Sequence, residues 1–247
     1  MTENEHGATI TALDLPYSDL DTSLTGMLCR DETRSGSRPG ILLFHGGAGL
    51  DGHAREQARR YAALGYVVFA CDMLGDGIAG DRERVIGCLS ALRDDPALLV
   101  RRARAGLAAL ADCPGTDGRF AAVGFCFGGM AALTLARSGE HLAAAVSIHG
   151  SLATSRPAEP GAVRARLLVC HGALDPHVPP GHVTAFAEEM SAADADWQLI
   201  MYGGALHGFT HKHAQPGAIP GVAYNALADD RSFTATRTFL AEIFDER

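Results

Sequence analysis

The chain has 247 residues, of which 47% are hydrophobic and 20% charged, and its formal net charge is −8. This length allows a sizeable core, and we expect one α/β domain over residues 1–247. Because the chain is acidic and has no basic stripe, we expect neither nucleic acid nor an anionic membrane surface as a partner. Residues 1–7 do not resemble a signal peptide, and no apolar run approaches the about 18 residues that span a bilayer. We therefore expect a cytoplasmic protein.

Short apolar runs alternate with helical patterns along the chain. The predicted strands are 10–13, 24–28, 41–44, 66–70, 120–123, 143–148, 167–170 and 197–201. The predicted helices are 54–64, 96–111, 130–137 and 183–190, followed by a C-terminal helix with Phe233, Arg237, Leu240 and Phe244 on one face. This alternation predicts an α/β fold with a mostly parallel, doubly wound central sheet and helices on both faces. The active site of such a sheet lies at the carboxyl ends of the strands.

The six cysteines give no support for a zinc or thioredoxin-type site, because none of them lies in a Cys-x-x-Cys pair. We expect free thiols in a reducing compartment. Cys71 and Cys170 lie inside apolar strand runs, which predicts that they are core residues. Cys126 alone has a reactive sequence context.

The most informative segment is Gly-Phe-Cys-Phe-Gly-Gly at residues 124–129, between a predicted strand and a predicted helix. This is the nucleophile-elbow pattern, with Cys126 as the nucleophile. The glycines leave room for a sharp strand-to-helix turn that raises the sulfur above the sheet. The helix N-terminus favours a thiolate at this position. A lone cysteine is more often buried in a core, but the strand and helix context favours catalysis here.

A cysteine nucleophile needs a base, since little of a free thiol is ionised at neutral pH. The expected chain order is nucleophile, acid, histidine. Asp175 follows the predicted strand 167–170, and His207 follows the predicted strand 197–201. His207 would move the protons, and Asp175 would hold the imidazole in one tautomer. The alternatives are a turn or helix-cap role for Asp175 and an ordinary loop position for His207.

An oxyanion hole requires two backbone N–H groups directed at the developing negative charge. We expect one from Phe127, the residue after the predicted nucleophile. The other is expected from Gly46 or Gly47, in the glycine-rich loop after the first central strand, because backbone at glycine can approach a substrate closely. His45 precedes these glycines and either orients their loop through hydrogen bonds or fills space.

The sequence resembles the dienelactone hydrolase family, a branch of the α/β-hydrolase fold. The matching segments are residues 124–129, 172–179 and 206–209, with Arg55-Glu56 and residues 64–68, and the resemblance runs from about residue 10 to the C-terminus. It implies the α/β-hydrolase fold, a catalytic triad of Cys126, His207 and Asp175, and no cofactor. It also implies that a small-molecule ester or lactone is hydrolysed through an acyl-enzyme, as by a carboxymethylenebutenolidase.

Two features depart from the family pattern. Members that cleave dienelactone carry a glutamate beside the resting thiol, where this chain aligns Gly46. They also hold the substrate carboxylate with two arginines, where this chain has Asp76 and His211. An acidic residue at position 76 would repel an anionic ligand, so we expect a neutral or differently charged ester or lactone instead. His45, Asp76 and His211 are the expected substrate-facing residues.

Other interpretations of the sequence stay open. His207, His211 and His213 form a His-x-x-x-His-x-His pattern, but no helix is predicted there to fix its geometry, so we expect no metal site. A thioester or another carboxylic ester is an alternative substrate for the same chemistry. A non-catalytic small-molecule-binding or thiol-sensing member of the same fold is the alternative outside catalysis. His149, at the end of the predicted strand 143–148, is expected to be structural.

Overall fold

The computed structural model describes residues 2–3, 8–75, 77–78 and 81–245. The strands are β1 (Thr2–Glu3), β2 (Thr9–Asp19), β3 (Thr22–Asp31), β4 (Arg38–Phe44), β5 (Val67–Cys71), β6 (Thr116–Phe125), β7 (Ala144–Ile148), β8 (Arg166–Gly172) and β9 (Trp197–Tyr202). The helices are α1 (Gly52–Ala63), α2 (Arg82–Asp94), α3 (Pro96–Ala111), α4 (Phe127–Arg137), α5 (Pro180–Ala192) and α6 (Ala226–Asp245). The chain forms two compact units, Met1–Ala122 and Val123–Arg247. The single domain expected from the sequence stays a prediction.

The first unit contains antiparallel strands followed by a parallel pair. β1, β2, β3 and β5 pair antiparallel in that order, and β4 pairs parallel to β5, with Ile41 opposite Val68. All of β5 and the last five residues of β4 are buried, as expected for continuous apolar runs that are covered on both faces. Ala54, Ala58 and Tyr61 are buried on α1, which confirms the helix face that the spacing predicts.

Side-chain caps fix the starts of two helices in the first unit. Asp51 accepts a hydrogen bond from the N–H of Ala54 at the start of α1. Asp95 accepts from two N–H groups at the start of α3, and Pro96 occupies the first turn, where a missing N–H costs nothing. Each cap contributes about 1 kcal/mol to helix stability. The predicted start of the helix at residue 96 is confirmed.

The second unit contains a parallel set of strands. β7, β8 and β9 pair parallel in that order. β7 is fully buried, and β8 is buried except at its first residue. α4 packs on β7, and α6 packs on β7 and β8. Parallel strands alternating with helices confirm the predicted α/β class, and such strands end at one edge of the sheet, where functional loops gather.

The buried face of α6 includes small polar side chains. Of the residues that the spacing predicts on one face, Leu240 and Phe244 are buried and Arg237 is exposed, while Ser232 and Thr236 are buried as well. The hydroxyl groups of Ser232 and Thr236 donate to the carbonyl oxygens of Asp229 and Ser232. Because these small polar groups are satisfied within the helix, they can be buried at low cost, and a hydropathy pattern does not identify them.

The cysteines and the helices bear on the environment of the chain. None of the six cysteines, all of which the structure describes, forms a disulfide, and Cys71 and Cys170 are fully buried, as predicted. Within the described ranges, no helix has both the length and the apolar character needed to cross a bilayer. The cytoplasmic location expected from the sequence stays a prediction.

Candidate active site

Cys126 occupies the sharp turn between β6 and α4. Its backbone has φ 54° and ψ −116°, a conformation that residues other than glycine rarely adopt. Such strain costs on the order of 1–3 kcal/mol and persists only where the surrounding structure enforces it. The chain passes so close to α4 that a Cβ atom on Gly124 would lie 1.9 Å from the carbonyl oxygen of Gly128. Glycine at position 124 therefore permits the turn.

The start of α4 surrounds Cys126 with backbone donors. The Cys126 carbonyl oxygen accepts from the N–H groups of Gly129 and Met130 at 3.0 and 3.3 Å. Phe127 is the first residue of the helix, and N–H groups in a first turn point out of the helix end. The helix dipole adds partial positive charge at this end, which favours a thiolate at Cys126 over a thiol.

Cys126, His207 and Asp175 lie in one hydrogen-bonded row. The Nε2 atom of His207 is 3.1 Å from Cys126 Sγ, and its Nδ1 atom is 2.7 Å from Asp175 Oδ2. The Asp175 side chain is fully buried, and the His207 side chain is 13% exposed. The other carboxylate oxygen of Asp175 accepts from the N–H of His177 at 2.8 Å. The imidazole therefore bridges a fixed carboxylate and the sulfur.

Backbone hydrogen bonds hold the loop that carries His207. The N–H of His207 donates to the Gly221 carbonyl oxygen at 3.0 Å, and the His207 carbonyl oxygen accepts from the N–H of Ala223 at 3.2 Å. Residues 208–220 therefore form a loop whose two ends are hydrogen-bonded to each other at His207. This pairing limits how far the ring can move from Cys126.

Electrostatics within the row favour a charged imidazolium. Burial by itself would lower the pKa of His207, but the hydrogen bonds to Asp175 and Cys126 outweigh burial and raise this pKa to about 10. Burial would also raise the pKa of the Asp175 carboxyl, but the hydrogen bond from His207 and its charge lower it. An imidazolium between two anionic partners is the charge state in which a cysteine sulfur is nucleophilic.

Two histidines that sequence reasoning did not select lie beside this row. The ring of His177 meets that of His207 edge to face, with 5.1 Å between the centroids. His171, near the end of β8, is buried, and burial lowers its pKa, as does the nearby positive charge of His207. Both belong to the segment around Asp175, so their spacing from that carboxylate is the signal that could have found them.

Of the expected substrate-facing residues, His211 lies near the row. Its ring centroid is 5.8 Å from that of His149, whose ring is 5.4 Å from the ring of His207. The His211 N–H donates to the Gly208 carbonyl oxygen at 2.9 Å. Asp76 lies outside the described residues. A role for either residue in substrate binding stays a prediction.

His45 organises the glycine-rich loop of the first unit. Its side chain is fully buried, and its Nε2 atom accepts from the N–H of Met73 at 3.0 Å. The proton is therefore on Nδ1, which donates to the Gly46 carbonyl oxygen at 2.6 Å. Burial lowers the pKa of His45, which keeps the ring neutral. Because backbone groups engage both ring nitrogens, the loop-orienting role is favoured over the substrate-facing one.

A cleft of about 410 Å³ adjoins the same loop in the first unit and is lined by Gly47, Ala48, Arg82, Val85 and Ile86. Its lining is mostly small or apolar, with one guanidinium. The N–H groups of Gly46 and Gly47 stay predicted oxyanion donors. Among the residues that the structure describes, no cluster of three or more His, Cys, Asp or Glu side chains is arranged to hold a metal ion.

Comparison with known proteins identifies the family. The sequence profile of the Dienelactone hydrolase family matches residues 24–244. The chain belongs to the dienelactone hydrolase family. It is a hydrolase of the dienelactone hydrolase type with the α/β-hydrolase fold, which confirms the resemblance found in the sequence.

Several individual proteins are similar to this dienelactone hydrolase-family protein. The solved structure of a dienelactone hydrolase-like promiscuous phosphotriesterase from metagenomic libraries is 40% identical, covers 96% of this chain and 100% of that chain, and has a TM-score of 0.90. An uncharacterized protein of Caenorhabditis elegans is 39% identical over 151 residues, which are 58% of this chain and 92% of that protein. A Yersinia pestis protein named as a candidate carboxymethylenebutenolidase is 27% identical over 199 residues, which are 75% of this chain and 74% of that protein.

Proposed function

We propose that this hydrolase cleaves a small-molecule ester or lactone with Cys126 as nucleophile, His207 as general base and acid, and Asp175 as the group that orients His207. The observation that carries the proposal is the 3.1 Å contact between His207 Nε2 and Cys126 Sγ, at an elbow with a strained backbone. The 2.7 Å contact between His207 and Asp175 supports the orienting role. This chemistry needs no cofactor.

In the acylation step, the Cys126 proton resides on His207 and the sulfur attacks the carbonyl carbon of the substrate. The C–S bond forms while the carbonyl π electrons move to oxygen. When they return, the bond to the alcohol oxygen breaks, and the imidazolium gives its proton to that oxygen. A lactone follows the same steps, except that its alcohol stays attached to the acyl group.

In the deacylation step, His207 takes a proton from water and the resulting hydroxide attacks the thioester carbon. The C–S bond breaks, the carboxylic acid leaves, and the Cys126–His207 pair is restored. Asp175 keeps the imidazole in the tautomer that both steps require and stabilises its positive charge.

The oxyanion formed in each step needs two backbone donors, and we assign one to Phe127 and the other to Gly46 or Gly47. The position of Phe127 at the first turn of α4 supports the first assignment. The hydrogen bonds of His45 to Gly46 and Met73 support the second, because they hold the loop in one conformation. A preorganised donor of this kind contributes about 10²- to 10³-fold to kcat.

A neutral ester or lactone fits the charges of the chain better than an anionic one. Asp76 and His211 stand where dienelactone-cleaving relatives use arginines, and the net charge of −8 disfavours the approach of anions.

The test is a panel of chromogenic carboxylic esters, thioesters and lactones, assayed with wild type and with Cys126→Ala. An aryl phosphotriester belongs in the panel because the 40% identical relative is named as a phosphotriesterase. We expect turnover of carboxylic esters or lactones by wild type and its loss in Cys126→Ala. Cys88→Ala is the matched control, since it removes a half-buried thiol that has no proposed role in the reaction, and it should leave turnover unchanged.

Two outcomes would contradict the proposal. Turnover that persists in Cys126→Ala would remove the sulfur from the mechanism. Absence of turnover across the panel, combined with rapid conversion of Cys126 to a sulfenic acid by dilute peroxide, would favour the thiol-sensing alternative.

Rapid quenching followed by mass spectrometry should detect an acyl group on the peptide that contains Cys126.

A further inference from the structure

His149 occupies a strained and fully buried position directly after β7. Its φ is +41°, in the left-handed region that residues with a side chain rarely adopt. Its own N–H donates to the Cys170 carbonyl oxygen at 2.8 Å. The sequence predicts only a structural role for this residue, but its side chain contacts the proposed nucleophile.

Hydrogen bonds fix the tautomer of His149. The N–H of Cys126 donates to His149 Nδ1 at 3.1 Å and also to the Ile148 carbonyl oxygen at 3.0 Å. Since a backbone N–H can only donate, Nδ1 must present its lone pair, and the ring proton is on Nε2. The Nε2–H then donates to the hydroxyl oxygen of Thr210 at 2.8 Å. The ring is therefore neutral.

The ring of His149 joins the elbow to the loop of the proposed base. Thr210 lies three residues after His207, and the ring of Phe209 meets that of His149 at 5.0 Å and 85°. A close approach of backbones brings His149 under the elbow, because a Cβ atom on Gly150 would lie 2.8 Å from the Cα atom of Gly129. One side chain thus bonds both segments whose relative position sets the His207–Cys126 contact.

We propose that His149 is a positioning residue, which holds the Cys126 amide in the strained elbow conformation by accepting its hydrogen bond at Nδ1. Without that acceptor, the Cys126 N–H keeps only the Ile148 carbonyl oxygen as its partner, and we expect the elbow to relax so that the sulfur moves away from His207 and from the proposed Phe127 donor. This inference rests on the proposed role of Cys126 as nucleophile. It assigns no proton transfer to His149.

Two substitutions of His149 separate its hydrogen bond at Nδ1 from its hydrogen bond at Nε2. In His149→Asn, the amide oxygen can take the place of Nδ1 and accept from Cys126, and asparagine tolerates a positive φ. In His149→Gln, the amide can take the place of Nε2 and bond Thr210, but the acceptor for Cys126 is lost. Thr210→Val removes only the hydrogen bond at Nε2. Urea unfolding of each variant reports any loss of folding.

We expect His149→Gln to lower kcat by about 10- to 100-fold with little change in KM, because a displacement of the reacting group by about 1 Å has this effect. His149→Asn should keep kcat within about threefold of wild type, and Thr210→Val should lie between the two. The rate of Cys126 alkylation by iodoacetamide should fall in the same order. Mass spectrometry can follow it on the tryptic peptide 120–137, which contains no other cysteine.

The alkylation measurement separates this inference from the proposed function. If Cys126→Ala retains turnover, the proposed function fails, and slower alkylation of Cys126 in His149→Gln would still support the positioning role. If His149→Gln and His149→Asn have the same kcat and the same rate of Cys126 alkylation, the inference is overturned. Should His149→Gln not fold, the folded Asn variant still decides, since a kcat as low as that of His207→Ala would show that the imidazole acts in another way.

Discussion

Two buried histidines occupy matching places in the two units of this hydrolase, and their rings are used in opposite ways. His45 follows β4 and precedes Gly46, and His149 follows β7 and precedes Gly150; both are fully buried. His45 donates from Nδ1 and accepts at Nε2, whereas His149 accepts at Nδ1 and donates from Nε2. Each ring is held as one neutral tautomer, with the proton on the opposite nitrogen.

The difference lies in what each ring holds in place. His45 bonds its own loop and Met73, and so rigidifies the segment that contains the proposed Gly46 or Gly47 donor. His149 bonds the proposed nucleophile and the loop of the proposed base. The same local pattern, a strand followed by His-Gly, therefore has different roles, because different segments of the chain pack against the two histidines.

The largest expected effect comes from removing His207, the proposed base in the second unit. His207→Ala should lower kcat by about 10³-fold or more, because both proton transfers lose their carrier. It should also lower the free energy of unfolding near neutral pH, by a few kcal/mol at most. Steady-state kinetics on the best ester of the panel measures this change.

His213→Ala is the matched control for that experiment, since it removes an exposed imidazole from the same loop. Its kcat should match wild type. A near wild-type kcat in His207→Ala would exclude His207 from the mechanism.

A second effect is the pH dependence of stability that His207 confers. Its pKa in the folded protein is raised to about 10, above the about 6.5 of an unfolded histidine. The stabilisation is therefore complete below pH about 6.5 and is lost as the pH rises through about 10. Its size is on the order of a few kcal/mol at most. Urea unfolding of wild type and His207→Gln at pH about 6, 8 and 10 should give a difference that shrinks as the pH rises, and a constant difference would contradict the charged row.

The comparison of the two histidines can be sharpened by repeating the Asn and Gln substitutions at His45. Here glutamine should be the milder change, because its amide oxygen can accept from the N–H of Met73. His45→Asn leaves that buried donor without a partner, which costs about 1–3 kcal/mol of unfolding free energy. We expect kcat to fall about 10-fold as the loop loosens. The same ranking of Asn and Gln at positions 45 and 149 would show that the opposite tautomers are irrelevant.

The smallest expected effect concerns substrate charge. Asp76→Arg should raise kcat/KM for a carboxylate-bearing ester by about 2- to 5-fold relative to a neutral ester of the same size, which is the value of one weak ion pair. The ratio of the two specificity constants, measured at low ionic strength, is the readout. An unchanged ratio would mean that position 76 does not sense the substrate.

Local features could be read from the chain alone. The elbow at Cys126 was predictable because its geometry is set by glycines within four residues, and the start of α3 because Asp95 and Pro96 cap it directly. The burial of Ser232 and Thr236 on α6 could not be predicted, because hydropathy ignores hydroxyl groups that are satisfied inside a helix.

The sequence by itself determined the α/β class, the family, and which sulfur, imidazole and carboxylate to consider, since these depend on short motifs and on periodicity. Only the tertiary structure decided that the imidazole bridges the other two, and that His45 and His149 carry their protons on opposite nitrogens. The physical reason is range. Hydrogen bonds such as that between Cys126 and His149 join residues 23 positions apart, and their partners are chosen by how strands and helices pack.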